Sequence, residues 1–244
     1  MLKSVLQDKL RASAIHFLFS IVLALLCFAV VFLLLYPSPL AQATGVIFLF
    51  LLMLGVDVVL GPALTFLVYK KDKKTLKMDL LIIVIIQLSA LCYGLYTMYQ
   101  GRPVWIAFTA DRFELVRAND VIGKSLDYPL PVIRPKYIFV ETKPQSPNGQ
   151  LKIMLEEAQS NISVAQQPQY YRPILQAKTQ IQQRALPLIE LEQYNSKTEV
   201  KKTLAKYPKA NAWLPLKANA VDMVVLVNKE SASIIKIVDL RPWE

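Results

Sequence analysis

One carboxylate in this sequence stands where a charge is least expected. Asp57 lies within a long apolar stretch, and Gln87 and Ser89 lie within a second one. A carboxylate in such a place is costly, so it usually marks a functional or partner-binding site. Three interpretations stay open: a polar seam inside one helical hairpin, a contact with a helix of another protein, or a proton or ion pathway. The last is the weakest, because a lone acid is a poor relay.

The residues around Asp57 would allow a second helix to approach. Gly55 precedes it, and Gly61 and Pro62 follow it. Small residues let helix backbones come close, and a glycine–proline pair can bend the helix. His16, the only histidine in the sequence, falls at the inner end of the first apolar stretch, where an interfacial position is expected rather than a ligand role.

Residues 102–244 offer little for catalysis. They contain no histidine and no cysteine, which excludes a Ser-His-Asp triad, a Cys-His pair and a zinc site built on imidazole or thiolate. The seven glycines of the chain are scattered and form no phosphate-binding loop. Two carboxylate pairs remain, Asp111 with Glu114 and Glu156 with Glu157, and both are expected in local ion pairs or on a solvated face. The sequence predicts no catalytic residue, no metal and no cofactor.

The elements that carry Asp57 and Gln87 are predicted to be membrane helices. The 244 residues are 54% hydrophobic, and residues 12–56 and 80–101 contain no Asp, Glu, Lys or Arg. About 20 apolar residues cross a bilayer, so the first stretch is too long for one span. Pro37 and Pro39 mark the turn within it. Three spans are therefore predicted, at residues 14–36, 46–69 and 79–99.

The orientation follows from the loop at residues 70–78, which carries five lysines. Short, lysine-rich loops stay in the cytoplasm. The prediction is a cytoplasmic N-terminus (1–13), a three-helix membrane domain (14–101) and a periplasmic domain (102–244). Cleavage after Ala41-Gln42-Ala43 by a signal peptidase is an alternative, but the apolar run before it exceeds the roughly 7–15 residues of a signal-peptide core.

The domain after the third span alternates in hydrophobicity like short strands. Val104, Ile106 and Phe108 would point to one side of the first strand. Ser196 begins a capping-box pattern at the start of a helix. Strands are predicted at 103–109, 112–117, 137–142, 223–227 and 234–240, with helices at 151–159, after Pro173 and from Ser196 to Tyr207. The fold class is a three-helix membrane part followed by an α+β domain around an antiparallel sheet.

Several motifs carry a resemblance to a known family. They are GVDVVLGP at 55–62, KTLKMDL at 74–80, QLSALCYGLY at 87–96, RPV at 102–104 and FTADRFELVR at 108–117. Together they resemble the type IV pilin accessory proteins of the TfpX/TfpZ kind, which are bacterial inner-membrane proteins that support assembly of a cognate pilin. The similarity is strongest from about residue 55 to residue 121.

The resemblance implies a role in type IV pilus assembly and brings no catalytic residues. The expected partners are a cognate pilin, the pilus assembly machinery and membrane lipids. The net charge of +10 does not call for nucleic acid. Residues 1–99 hold 8 basic and 4 acidic side chains, an excess that serves topology, and residues 100–244 hold 20 and 14, a modest excess suited to anionic lipid or an acidic partner. The candidate partner-binding residues are Asp57, Gly61, Pro62, Gln87, Phe108, Asp111, Arg112, Phe113 and Arg117.

Two other functions stay open from the sequence. One is a membrane-bound enzyme or enzyme subunit that modifies pilin or a lipid-linked glycan, with carboxylates or with Arg112 and Arg117 as the acting groups. The other is a small transporter component that depends on Asp57.

Overall fold

The computed structural model describes residues 2–71, 73–123, 125–142 and 162–243. Its internal contacts divide the chain into two units, which we call the helix unit (residues 1–35 and 46–100) and the sheet domain (residues 36–45 and 101–244). The predicted helix at 151–159 lies outside the described residues, and so do Glu156 and Glu157.

The helices and strands are numbered in chain order. The α-helices are α1 (Leu2–Phe28), α2 (Leu40–Thr44), α3 (Val46–Leu54), α4 (Gly61–Val68), α5 (Leu76–Gln100), α6 (Lys178–Arg184) and α7 (Lys197–Leu204). The strands are β1 (Pro103–Phe108), β2 (Phe113–Arg117), β3 (Lys136–Val140), β4 (Tyr171–Pro173), β5 (Leu186–Pro187), β6 (Ala212–Lys217), β7 (Met223–Asn228) and β8 (Ser233–Val238).

Among the described residues, three continuous helical stretches are long and apolar enough to cross a membrane. They are Val5–Leu35, Val46–Val68 and Leu76–Gln100. Two of them change from α-helical to π-helical geometry along their length, at Ala29–Leu35 and at Gly55–Leu60. The second π-helical segment separates α3 from α4 and contains Asp57. Such segments are rare and are often found at functional sites.

Helix α4 is the centre of the helix unit, because both α1 and α5 pack against it. Ser13 Oγ on α1 donates to the Pro62 carbonyl at 2.9 Å. His16 Nδ1 lies 2.6 Å from Thr65 Oγ1. His16 is therefore engaged in an interhelical hydrogen bond, and its position at the membrane interface stays a prediction.

The sheet domain is built on one mixed sheet. Within the described residues the strand order is β4-β3-β1-β2-β6-β7-β8, and β5 pairs with β6. The hairpin of β1 and β2 is antiparallel as predicted, but β1 pairs with β3, and β2 with β6, in parallel. The prediction of a purely antiparallel sheet is wrong at these two pairs. Long connections make parallel pairing possible, since β3 and β6 are each reached through many intervening residues.

The first strand lies in the middle of the packing, because all six of its positions are buried. Ile106 and Phe108 belong to one buried cluster, whereas Trp105 and Ala107 belong to another. Val104 joins the second cluster, since a register shift interrupts the pairing between Pro103 and Trp105. The predicted grouping of Val104 with Ile106 therefore fails at this bulge.

The residues between the first two long helices form an ordered part of the sheet domain. Leu40 and Ala43 are buried in the same cluster as Phe108. The carbonyl of Ala43 accepts a hydrogen bond from the Ala220 amide at 2.9 Å. Gly45 ends helix α2 with φ +75°, a conformation that glycine adopts without strain. The sequence predicted only a turn at these residues.

Candidate functional site

The candidate site lies in the helix unit around Asp57. This side chain is 7% exposed, although it is carried by a helix of membrane-spanning length. Among the described residues, neither of its carboxylate oxygens has a hydrogen-bond partner. A buried polar group without a partner is expensive, so it needs an explanation in terms of what else can reach it.

Gln87 on α5 contacts Asp57 through the backbone. Its Nε2 donates to the Asp57 carbonyl oxygen at 3.1 Å. In π-helical geometry the carbonyl of residue 57 would accept from the amide of residue 62. That residue is Pro62, which has no N–H. The side chain of Gln87 therefore supplies the donor that the helix backbone cannot, and its own Oε1 is left without a partner within the described chain.

Gly61 makes this contact possible. A Cβ atom at Gly61 would lie 2.1 Å from Gln87 Nε2, which is far inside van der Waals contact. Gly55, in the same helix, has open space at the equivalent point. The residue before Pro62 must therefore lack a side chain if the Gln87 amide is to stay in this position. Ser89, which the sequence grouped with Asp57 and Gln87, is exposed and lies outside this arrangement.

Asp57 borders two cavities. The smaller has a volume of about 30 Å³ and lies between α1 and α5, where His16, Ser20 and Gln87 also line it. The larger has a volume of about 250 Å³ and runs between α3 and α5. We call the larger one the α3–α5 groove, and its lining residues are Leu49, Leu52, Met53, Val56, Asp57, Ala90, Tyr93, Gly94, Thr97 and Met98.

The sequence did not identify the α3–α5 groove, although it contains a signal. Ala90, Gly94 and Thr97 recur at spacings of four and three, which places small residues on one face of α5. Gly94 also controls the width of the groove, because a Cβ there would lie 2.9 Å from Met53 Sδ.

The two phenylalanines proposed as contact residues in the sheet domain are core residues. Phe108 and Phe113 are both 0% exposed, and their ring centroids are 5.1 Å apart. A side chain that is fully enclosed by its own domain cannot offer a surface to a partner. Both are therefore removed from the candidate contact residues, and their role is to hold the β1–β2 hairpin in the core.

The charged candidates of the hairpin are engaged locally. Asp111 and Arg112 form an ion pair at 3.3 Å. Arg117 forms two hydrogen bonds to the Asp120 carboxylate, each 2.8 Å long, which raise the pKa of its guanidinium. Only the Asp111–Arg112 pair is substantially exposed, so it is the part of the hairpin that a partner could touch.

Two polar residues that the sequence did not single out are buried in the sheet domain. Arg102 is 4% exposed and donates from Nη2 to the Pro131 carbonyl at 2.8 Å and from Nε to the Val132 carbonyl at 3.1 Å. Tyr36 is 2% exposed, and burial raises the pKa of its hydroxyl, while the positive charges of Arg117 and Arg102 oppose this shift. These contacts stabilise the domain and form no reactive centre.

Of the carboxylates considered for acid–base chemistry, the two that the structure describes, Asp111 and Glu114, are occupied. Glu114 accepts a hydrogen bond from Ser163 Oγ at 2.7 Å, and Asp111 pairs with Arg112 as described. In the part of the chain that the structure describes, no three His, Cys, Asp or Glu side chains come together as a metal site. The arrangement at Asp57 can accept hydrogen bonds or bind a positive charge.

Three apolar helices of membrane-spanning length, a mixed-sheet domain and a buried carboxylate define a membrane-associated protein whose candidate site lies among its helices. Known proteins place it more closely. The family model described as "Fimbrial assembly protein FimB" matches residues 4–45. The fimbrial assembly protein of serogroups C1 and C2 of Dichelobacter nodosus is 37% identical over 114 residues, which cover 46% of this chain and 87% of that protein. The chain belongs to the family of fimbrial assembly proteins.

Longer relatives match almost the whole chain. The fimbrial assembly proteins of serogroup I and of serogroup E1 of Dichelobacter nodosus are each 29% identical over 248 residues, covering 96% of this chain and 96% of each relative. These matches confirm the resemblance to accessory proteins of type IV pilus assembly. No solved structure matches the chain.

Proposed function

We propose that this chain is a non-enzymatic accessory factor of type IV pilus assembly that binds a pilin in the inner membrane before the pilin is polymerised. The observation that carries the proposal is Asp57, a residue that is 7% exposed and borders a groove on a helix of membrane-spanning length. A carboxylate in the membrane is retained where another group meets it. Two relatives that match 96% of the chain are named fimbrial assembly proteins, which supports a role in fimbrial assembly.

A pilin held in the membrane presents an apolar helix to the bilayer and a folded head to the periplasm. The helix unit would contact the apolar helix of the pilin, and the sheet domain would contact its folded head. This division requires a cytoplasmic N-terminus and a periplasmic sheet domain, which the five lysines of the loop at 70–78 favour. The exposed Asp111–Arg112 pair is the part of the sheet domain that we assign to the head.

No catalytic step is assigned to this chain. The carboxylates of Asp111 and Glu114 are engaged with Arg112 and Ser163, and the Asp57 carboxylate lies among helices of membrane-spanning length. A factor that only binds can still promote assembly, because anything that binds the stored form of a protein protects it by mass action.

The test compares two acid-to-amide variants of the full chain in a deletion strain. Asp57→Asn keeps the size of the side chain but removes its charge, and Asp79→Asn does the same to an acid at the start of α5 that pairs with Lys73. We expect Asp57→Asn to lower pilin co-purification and surface pili about tenfold, which corresponds to ~1.4 kcal/mol of binding free energy. Asp79→Asn should remain close to wild type.

Protein levels are measured beside both readouts, so that a loss of the factor itself is recognised. Normal pili in the deletion strain would remove the proposal. So would full pilin binding by Asp57→Asn at normal protein level, because the carboxylate would then have no part in the contact.

A further inference from the structure

The α3–α5 groove has the form of a docking site for one helix. One wall carries the small residues Ala90, Gly94 and Thr97. Small side chains on one face let another helix backbone approach closely. The opposite wall is apolar and includes Leu52 and Val56. A lipid chain could cover these walls, so the walls alone do not identify the occupant.

The carboxylate of Asp57, which lines the groove, limits what can fill it. Asp57 has two carboxylate oxygens without a partner among the described residues, and Gln87 Oε1 beside it is likewise unpartnered there. The donor nitrogen of Gln87 is already used on the Asp57 carbonyl. All three unmatched atoms are acceptors when the carboxyl group is ionised, since an ionised carboxylate can only accept. The complementary group is therefore a donor, and a positive charge fits best because it also offsets the carboxylate charge.

Lipid and a second copy of the chain do not supply such a group. An acyl chain has no donor. In this sequence, residues 12–56 and 80–101 contain no Lys or Arg. Their one basic side chain, His16, is already hydrogen-bonded to Thr65, so a second copy brings no free basic side chain to the depth of Asp57. The occupant must come from a different polypeptide.

We propose that the α3–α5 groove binds the membrane helix of another protein, and that a basic group on that helix pairs with Asp57. This rests on the proposed function, in which the other protein is the pilin. Ala90, Gly94 and Thr97 receive the helix backbone, and Asp57 sets its depth and register. Gln87 holds the Asp57 backbone in place through its hydrogen bond, so it is a positioning residue.

The first experiment places a photo-crosslinking amino acid at one of two positions of the full chain in its native membrane. Tyr93 is 73% exposed and lines the groove. Cys92 is the adjacent residue of α5 and is also exposed, but it does not line the groove. We expect a crosslinked partner from position 93, because only that position of the two lines the groove. The yield should be about tenfold higher than from position 92.

The second experiment combines the crosslinker at 93 with changes to the groove. Ala90→Leu fills the groove from an exposed position, whereas Cys92→Leu adds similar bulk outside it. We expect Ala90→Leu to abolish the crosslink and Cys92→Leu to keep it. Asp57→Asn should lower the yield about tenfold, and Asp57→Glu should retain more of it than Asp57→Asn because the charge is kept.

Each outcome decides between the two proposals. A crosslink from position 93 to a second copy of the chain, or only to lipid, overturns the docking inference. An unchanged crosslink in Asp57→Asn overturns the basic group. If position 93 gives no crosslink while pilin still co-purifies, the groove is wrong and the proposed function stands. If position 93 captures a membrane helix of a protein other than pilin, the groove is right and the proposed function falls.

Discussion

Gln87 donates its side-chain amide to the backbone carbonyl of Asp57, at 3.1 Å, and not to the Asp57 carboxylate. This choice follows from Pro62, whose missing N–H leaves that carbonyl without its backbone partner. The hydrogen bond joins α5 to the π-helical segment and fixes the backbone that carries the acid. The carboxylate oxygens are buried and have no hydrogen-bond partner among the described residues, so Gln87 fixes the backbone of the acid without engaging its side chain.

The contact between Gln87 and Asp57 predicts that one of two glycine variants loses stability and the other does not. Gly61→Ala places a methyl group where Gln87 Nε2 lies, so the amide must leave the carbonyl. Leaving a buried carbonyl without a donor costs ~1–3 kcal/mol. Gly55→Ala meets open space and should lose nothing. The measurement is the thermal unfolding midpoint of each full-length variant in detergent, and equal midpoints for the two would contradict the assigned role of Gly61.

One interpretation left open by the sequence was a seam in which Asp57, Gln87 and Ser89 meet, because the short loop at 70–78 makes an antiparallel hairpin of their helices. The structure brings Asp57 and Gln87 together and leaves Ser89 exposed. The sequence could not predict which atoms meet. That depends on the π-helical geometry at Gly55–Leu60, which leaves no pattern in hydrophobicity. The α3–α5 groove was missed for a similar reason: small residues on α5 indicate a close approach but do not say what approaches.

In the sheet domain, strands with clear alternation or a continuous apolar run were predicted, and the others were not. The β1–β2 hairpin and the β7–β8 pair were found, and Ser196 caps α7 as expected by accepting from the Glu199 amide. Strand β6 was missed because Pro215 lies inside it, and proline counts against a strand. The parallel pairing of β1 with β3 and of β2 with β6 could not be predicted, since strands that pair across a long stretch of chain leave no local signal in the sequence.

Phe108 is expected to act through stability and not through a direct contact with pilin. Phe108→Ala removes a fully buried ring and should cost ~3–5 kcal/mol of unfolding free energy. Asp111→Ala, on the exposed end of the same hairpin, should change stability by at most ~0.5 kcal/mol. Pulse proteolysis of the full chain in membranes measures both. A stable Phe108→Ala variant that no longer binds pilin would restore Phe108 as a contact residue.

Two glycines with positive φ differ in the space around them, which gives a matched pair. Gly45 has φ +75° and a Cβ there would lie 3.1 Å from Ala220 Cβ, while Gly123 has φ +88° and open surroundings. Replacing either by alanine costs ~1–2 kcal/mol for the left-handed backbone. Gly45→Ala should lose more unfolding free energy than Gly123→Ala, because the loop at residues 36–45 must also move away from Ala220. Chemical denaturation of the two full-length variants compares their free energies of unfolding. A larger loss in Gly123→Ala would argue against the packing of residues 36–45 against Ala220.

The stability of the sheet domain should fall at alkaline pH, in part through Tyr137. Burial raises the pKa of its hydroxyl from 10.0 to about 12 in the folded chain. The stabilising contribution is therefore fully present below pH 10 and is lost as the pH rises towards 12, because the unfolded chain releases the proton first. Two pKa units correspond to ~2.7 kcal/mol at most.

Tyr137→Phe removes this ionisation, so its free energy of unfolding should fall less steeply between pH 10 and pH 12 than that of the wild type. The measurement is denaturant unfolding of the full chain at pH 9, 10, 11 and 12, values that bracket the interval between the two pKa values. Identical slopes in both proteins would show that Tyr137 ionises as easily in the folded chain as in the unfolded one.

The orientation of the chain is a prediction that rests on the lysine-rich loop at residues 70–78. Because lysines near the ends of spans resist transfer across the bilayer, the loop stays in the cytoplasm and an odd number of spans brings residues 102–244 to the periplasm. An alkaline phosphatase fused after Glu244 should be active, and one inserted after Lys74 should be inactive. A fluorescent reporter that folds only in the cytoplasm should give the reverse pattern at the same two positions. Activity of the phosphatase at Lys74 alone would invert the topology and remove the periplasmic contact between the sheet domain and the pilin head.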